Sequence, residues 1–339
     1  MPSTVDTTPG EAAIAAETER LLSLLDPVHW NREACEMVAP LTLEINRLKR
    51  EKNAVILAHS YQTPDIIFGI ADHTGDSLGL SKEAAATDAD IIVFCGVRFM
   101  AETAKILSPG KTVLMPSPEA GCSLSESINA ADVRALKAAY PGVPVVCYVN
   151  TSAEVKAESD ACCTSANATK VVNAQEGDSV IFIPDELMAQ NIQAESPKRI
   201  IAWKGKCIVH EEFDVTAISE WKKQHPGLKV LVHTECDSAV VAAADMAGST
   251  EGMINFVKNS DAKEFMLVTE CGLSDRLRVE FSGQQKEFIG SCVLCPYMKM
   301  VELPHVLECL TDPKPEQIVT LDADIIKRAR RAIDQMIKY

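Results

Sequence analysis

The chain has 339 residues, 47% of them hydrophobic and 24% charged, a globular composition with too much apolar content for a disordered chain. Lys and Arg number 33 against 48 Asp and Glu, and this net charge of −15, with 5% aromatics, excludes a general nucleic-acid binder, whose phosphate contacts need cations. An anionic substrate is not excluded, because a few local donors suffice to bind one. No run of about 18 apolar residues is present to span a membrane. The opening MPSTVDTTPGEAAIAAETERLL has neither the basic region and apolar core of a secretory leader nor the arginines of a transit peptide. The expected compartment is therefore the cytoplasm, where disulfides are rare, and the twelve cysteines are expected either to pack as small hydrophobes or to bind metal.

Residues 1–50 read as an amphipathic helical lead-in. Three similar stretches follow. The first has the apolar run NAVILAHSY (53–61), the second VPVVCYVN (143–150) and the third LKVLVHTE (228–235). Each is of strand length, apolar on both faces as in a buried parallel strand, and ends in polar residues: His59 and Tyr61, Tyr148 and Asn150, His233 and Glu235. A small polar tripeptide comes next, Gly75-Asp76-Ser77, Cys163-Thr164-Ser165 or Gly248-Ser249-Thr250, suited to capping a helix N-terminus. A second strand (90–96, 179–185, 264–270), a helix such as FMAETAKIL or DELMAQNI, and a third strand (111–116, 198–203, 286–290) complete each stretch. Just beyond lies a cysteine: Cys122, Cys207 or Cys295.

The landmarks keep one period. His59 to Tyr148 is 89 residues and Tyr148 to His233 is 85; Cys122 to Cys207 is 85 and Cys207 to Cys295 is 88. Such repetition predicts an α/β fold of three similar three-layer domains with parallel sheets, arranged with pseudo-threefold symmetry around a central site. The expected boundaries are 51–138, 139–226 and 227–311, with a terminal helix in 312–339. Ligands of open parallel sheets bind beyond the carboxyl ends of the strands, where the polar residues, hydroxyls and cysteines all fall.

Three thiolates converging from three units hold a metal and leave one position open, the mark of a catalytic site. Soft thiolates select zinc or an iron–sulfur cluster, and spacing alone does not choose between them. An all-thiolate shell makes zinc the poorer Lewis acid.

The segments AHSYQTPDI, ADHTGDSLGLS, IVFCGVRFMAETAKIL, SPEAGCSL, YVNTSAEVKAESDACCTSANA, WKGKCIVH, HTECD, AGSTEGM and SCVLCPYMKM together resemble the quinolinate synthase family over residues 51–337. That resemblance implies a transferase of NAD biosynthesis that condenses iminoaspartate with dihydroxyacetone phosphate and loses phosphate and two waters. It also implies one 4Fe–4S cluster per chain on three cysteines, with the fourth iron free for substrate. Motif matching places the ligands at Cys122, Cys207 and Cys295. Cys292 competes for the third place, but the 88-residue period and the family's Cys-Pro pattern favour Cys295, leaving Cys292 a spare thiol. Cys162 and Cys163 are expected to be reduced and to pack near a helix start.

Within this resemblance Ser77, Ser165, Ser249 and Thr250 are expected to hold carboxylate and phosphate oxygens, with Asn150 pairing with a carboxylate or imine. His59, His210 and His233 sit in matched motifs and are expected at the substrate. Glu235, on the same strand face as His233, is the general-base candidate. Tyr148 and Tyr61 are expected to relay a proton or stabilise an oxyanion, and Glu212 and Glu270 either to orient histidines or line the site, or to lie on solvated surface. Supply of iminoaspartate implies coupling to an L-aspartate oxidase or dehydrogenase. The competing readings are another open-site 4Fe–4S dehydratase and a non-catalytic iron–sulfur sensor.

Overall fold

The computed structural model describes residues 10–290 and 292–339, so the first nine residues of the lead-in lie outside the described residues. The lead-in forms two helices, Glu11–Leu25 and Arg32–Glu51, the second started by Asn31, whose side chain accepts from the Ala34 N–H at 2.9 Å.

Twelve strands follow in three parallel four-stranded sheets. The first holds β1 (Ala54–His59), β2 (His73–Gly75), β3 (Ile91–Cys95) and β4 (Thr112–Leu114). The second holds β5 (Val145–Tyr148), β6 (Ala161–Cys163), β7 (Ser179–Ile183) and β8 (Arg199–Ala202). The third holds β9 (Lys229–His233), β10 (Met246–Gly248), β11 (Glu264–Val268) and β12 (Glu287–Phe288). In each sheet the spatial order is second, first, third, fourth, so the threefold repetition expected from the sequence is borne out.

Each unit has one strand more than the sequence suggests. The added strands β2, β6 and β10 are three residues long, too short for an alternating pattern to register, and they lead directly into the small polar tripeptides. The Cys162–Cys163 pair accordingly sits in β6 rather than at a helix start, with Cys147 opposite Cys162, and all three thiols are free and buried.

The apolar runs bury both faces. In the first sheet Val55, Leu57, Ile92 and Phe94 join the main core, whereas Ile56, Ala58, Val93 and Cys95 join a second core. That second core is covered by Ile45 and Leu48 of the lead-in and by Val306 and Leu310 of the helix Leu303–Thr311. The chain thus returns to the first sheet after completing the third. The helix Ala323–Lys338 returns likewise, lying on the helix Arg98–Leu107 of the first unit and on Ala153–Glu158 and β6 of the second. Its Met336 carbonyl accepts from Asn167 Nδ2 at 2.8 Å, and Asn167 Oδ1 in turn accepts from the Thr164 N–H at 2.8 Å, shaping the turn that carries Ser165.

Among the described residues no helix is long and apolar enough to cross a membrane.

Candidate active site

The first strand of each sheet delivers its polar end to one cavity. His59 and Tyr61 follow from β1, Tyr148 and Asn150 from β5, and His233 and Glu235 from β9, and all six line the same space with Cys122, Cys207 and Cys295. Among the described residues no Lys or Arg lines it; the polar groups there include hydroxyls, imidazoles and carboxylates.

Two of the units repeat one local device. The Tyr61 N–H donates to His59 Nδ1 at 3.2 Å, and the Glu235 N–H donates to His233 Nδ1 at 3.3 Å. An Nδ1 that accepts leaves the proton on Nε2, so both rings are neutral donors. Burial is the main reason they stay neutral, pushing His59 down to about 3 and His233 to about 4; His233, Arg276 and Lys299 add to it at His59 and His210 at His233, while the Glu235 carboxylate opposes it at both.

Glu235 is the hub. Its Oε1 accepts from Tyr148 Oη at 2.6 Å, and its Oε2 lies 2.9 Å from His210 Nδ1. Burial alone raises a carboxyl's pKa, but the neighbouring His210 and His233 imidazoles and the hydrogen bonds from His210 and Tyr148 outweigh it and hold Glu235 well below the usual carboxylate range. The Tyr148 phenol is pushed up by burial and by Glu235, so it remains a proton donor to that carboxylate. His210 Nε2 is 2.9 Å from Thr269 Oγ1, which is 2.6 Å from Tyr61 Oη, and Tyr61 Oη is 3.0 Å from Thr250 Oγ1. A continuous chain of polar atoms therefore runs from Tyr148 through Glu235 and His210 to Tyr61.

Ser77, Ser165 and Thr250 line the cavity as well. Ser77 is not the cap of its helix; Asp76 is, accepting from the Gly79 N–H at 2.9 Å, so the serine hydroxyl is not spent on capping. Ser165 precedes its helix, with Asn167 in the cap position. Ser249 caps its helix through the Gly252 N–H at 3.1 Å and faces an adjoining cleft that meets the central cavity at Asp76 and Ser165. Asn150 Oδ1 is buried without a partner. Glu270 lines the cavity, whereas Glu212 is exposed on the turn after His210.

Thr269 was not singled out by its sequence. It sits at the polar end of the third strand run, EFMLVTE, and the signal that flagged His233 and Glu235 applies to it equally. A second departure concerns Cys292, expected as a spare thiol: it is bonded to Cys271, with Cα atoms 5.0 Å apart. The bridge Glu270↔Val293 extends the third sheet's edge and brings the two cysteines side by side, a tertiary pairing that spacing cannot reveal.

Cys122, Cys207 and Cys295 are unpaired, and each comes from a different unit. Among the described residues, the one trio of metal-ligating side chains whose atoms all lie within 4.8 Å of one another is Cys207, His210 and Glu235. At least one pair of the three thiols therefore stands more than 4.8 Å apart, wider than two thiolates on one zinc at about 4.6 Å. Three soft thiol donors with that spread fit an iron–sulfur cluster.

A family model described as quinolinate synthetase A protein matches residues 43–338. The chain belongs to the quinolinate synthetase A family. Its relatives include proteins named quinolinate synthase from Sinorhizobium medicae, 49% identical over 96% of this chain and 89% of the relative, and from Xylella fastidiosa, 52% identical over 86% and 85%. A third, from Caulobacter vibrioides, is 49% identical over 96% of this chain and 88% of the relative. Membership of this family implies an iron–sulfur cluster, and the three free thiols are soft donors suited to one.

Proposed function

We propose that this chain forms quinolinate from iminoaspartate and dihydroxyacetone phosphate, releasing phosphate and two waters, with one 4Fe–4S cluster held by Cys122, Cys207 and Cys295. The observation that carries this reading is the convergence of three unpaired cysteines with the Tyr148–Glu235–His210 network in one cavity built from three strand edges. When bound, the cluster supplies a Lewis acid at the iron without a cysteine, suited to a leaving hydroxyl or a carboxylate oxygen.

The protein's own groups do the rest. Glu235, ionised and buried, takes the protons that condensation and dehydration release, and Tyr148 and His210 share them through hydrogen bonds already in place. His59 and His233 present neutral Nε2–H donors to substrate carboxylates. Ser77, Ser165 and Thr250 hold carboxylate and phosphate oxygens, and Ser249 lines the approach. Asn150 Oδ1, unpartnered in the protein, accepts from the substrate's imine or amine nitrogen. Tyr61, pushed up by burial and held by Thr250 and Thr269, stays protonated to stabilise a developing oxyanion. Iminoaspartate hydrolyses in water, so an L-aspartate oxidase or dehydrogenase working nearby in the cytoplasm would supply it.

The test is iron, sulfide and zinc content of anaerobically purified protein, with product formation and the EPR spectrum of the reduced sample before and after quinolinate. About four irons and four sulfides per chain, a spectrum shifted by quinolinate, and product are expected. A cluster indifferent to quinolinate, without turnover, points to the sensor or another dehydratase. Zinc without sulfide overturns the reading.

A further inference from the structure

In the cavity wall, one ion pair, buried at its carboxylate, gathers several backbone groups. Glu270 is 1% exposed, and its Oε1 lies 2.9 Å from Lys299 Nζ. The same oxygen accepts from the Cys295 N–H at 3.2 Å, while Oε2 accepts from the Gly272 N–H at 2.7 Å. The Lys299 N–H donates to the Cys295 carbonyl at 3.3 Å, so both peptide groups of Cys295 are tied to members of the pair. Lys299 Nζ also donates across to the first unit, to the Tyr61 carbonyl. The closeness is built in at Gly272, where a Cβ would come within 2.7 Å of Glu270 Oε2, 2.8 Å of the Tyr61 carbonyl and 2.9 Å of Lys299 Nζ.

We propose that Glu270 and Lys299 are positioning residues that set the place of Cys295 and couple it to Tyr61 on the neighbouring unit; the proposal builds on Cys295 as a cluster ligand. Neither is needed to touch substrate. Among the described residues the Cys295 N–H has no other acceptor, and the loop from 292 to 299 contains no regular helix or strand; the Cys271–Cys292 bond and the bridge at Val293 tie its start, and a single turn at Met298–Met300 its end. The lysine joins units beside a second link, Gln62 Nε2 donating to the Met298 carbonyl at 2.9 Å; without the lysine, among the described residues nothing from this loop holds the Tyr61 carbonyl, and the Glu270 carboxylate is left buried without its cation. Removing one partner of such a pair is more damaging than removing both, because the survivor is an uncompensated buried charge. That asymmetry separates an ion-pair joint from simple packing.

Two readouts test it, one needing the cluster and one not. In anaerobically loaded protein, Lys299→Met should release iron to a ferrous chelator at least tenfold faster than the parent. Lys299→Arg, which keeps the cation, should recover most of that loss, and the double change Lys299→Met with Glu270→Gln should release iron more slowly than Lys299→Met alone. In protein stripped of iron, Lys299→Met should raise the alkylation rate of Cys295 severalfold relative to Cys122 in the same chain, read by peptide mass spectrometry. Glu270→Gln should move both readouts in the same direction by a smaller factor, and it serves if Lys299→Met does not fold. Parent rates in the chelator assay, or an unchanged Cys295-to-Cys122 ratio, overturn the joint. A parent protein that holds neither iron nor sulfide defeats the proposed function instead, and the alkylation ratio still decides the joint.

Discussion

Replacing Glu235 by Gln removes one charge from the centre of the site while keeping its shape. The Gln carbonyl can still accept from the Tyr148 hydroxyl, now at 2.6 Å from Oε1, and its amide can donate to His210 Nδ1, now 2.9 Å from Oε2. His210 then carries its proton on Nε2, toward Thr269 Oγ1 at 2.9 Å. Because every partner finds a new role, the fold should lose no more than ~1–2 kcal/mol, the scale of one weakened hydrogen bond. The chemistry has no such substitute, since an amide takes up no proton. General acid–base catalysis is worth about 10²–10⁴ in rate, or roughly 3–5 kcal/mol of barrier. Quinolinate formation under anaerobic conditions should therefore fall at least a hundredfold, with iron and sulfide per chain unchanged and the melting temperature close to the parent's. A variant that keeps its cluster and more than half of the parent turnover refutes the assignment of Glu235 as the base.

Cys122→Ala, Cys207→Ala and Cys295→Ala should each lose most of their iron and sulfide, whereas Cys271→Ala and Cys292→Ala should retain both; elemental analysis decides it. Asn150→Ala should raise KM by about 10–100-fold, the worth of a hydrogen bond to a charged group, with the EPR spectrum of the substrate-free cluster unchanged; steady-state kinetics that show only a fall in kcat contradict the binding role. Acid should destabilise the chain through its two buried neutral histidines. His59 and His233 stay neutral in the fold down to about 3 and 4 but take up protons near 6.5 when unfolded, so the unfolded chain binds up to two more protons between about pH 6.5 and 4. Stability is intact above that window and falls as pH drops into it, by roughly 2–4 kcal/mol between pH 7 and 5, and denaturant melts at the two pH values that coincide contradict the buried neutral histidines.

Much of this architecture is written locally. Apolar runs that bury both faces, polar strand ends and cysteines in a common register identify three α/β units and the edge at which they meet, because each is a feature of consecutive residues. Features that depend on chain segments far apart are not written that way. The Cys271–Cys292 bond arises from the extra pairing of Val293 beside Glu270. The role of Lys299 arises from its reach to Tyr61, 238 residues earlier. Ser249 illustrates the opposite limit: its register matched Ser77 and Ser165, yet its hydroxyl is taken up by the Gly252 N–H, and the neighbouring Thr250 faces the cavity instead. One residue's step at a helix start decides which side chain caps the helix and which lines the cavity, and periodicity of 84–89 residues is too coarse to resolve it.

The return of the helix Ala323–Lys338 to the first two units has a consequence for how the protein is made. Asn167, which shapes the turn bearing Ser165, bonds a carbonyl 169 residues further along the chain. At a synthesis rate of about 5–20 residues per second, that partner emerges roughly 10–30 seconds after the turn itself. During this interval the apolar surface that the helix will cover on β6 and Ala153–Glu158 has no cover from it, and neither does the face of the first sheet awaiting Leu303–Thr311. The three units are therefore not matured one after another like beads on a string; the first two wait for segments translated after the third.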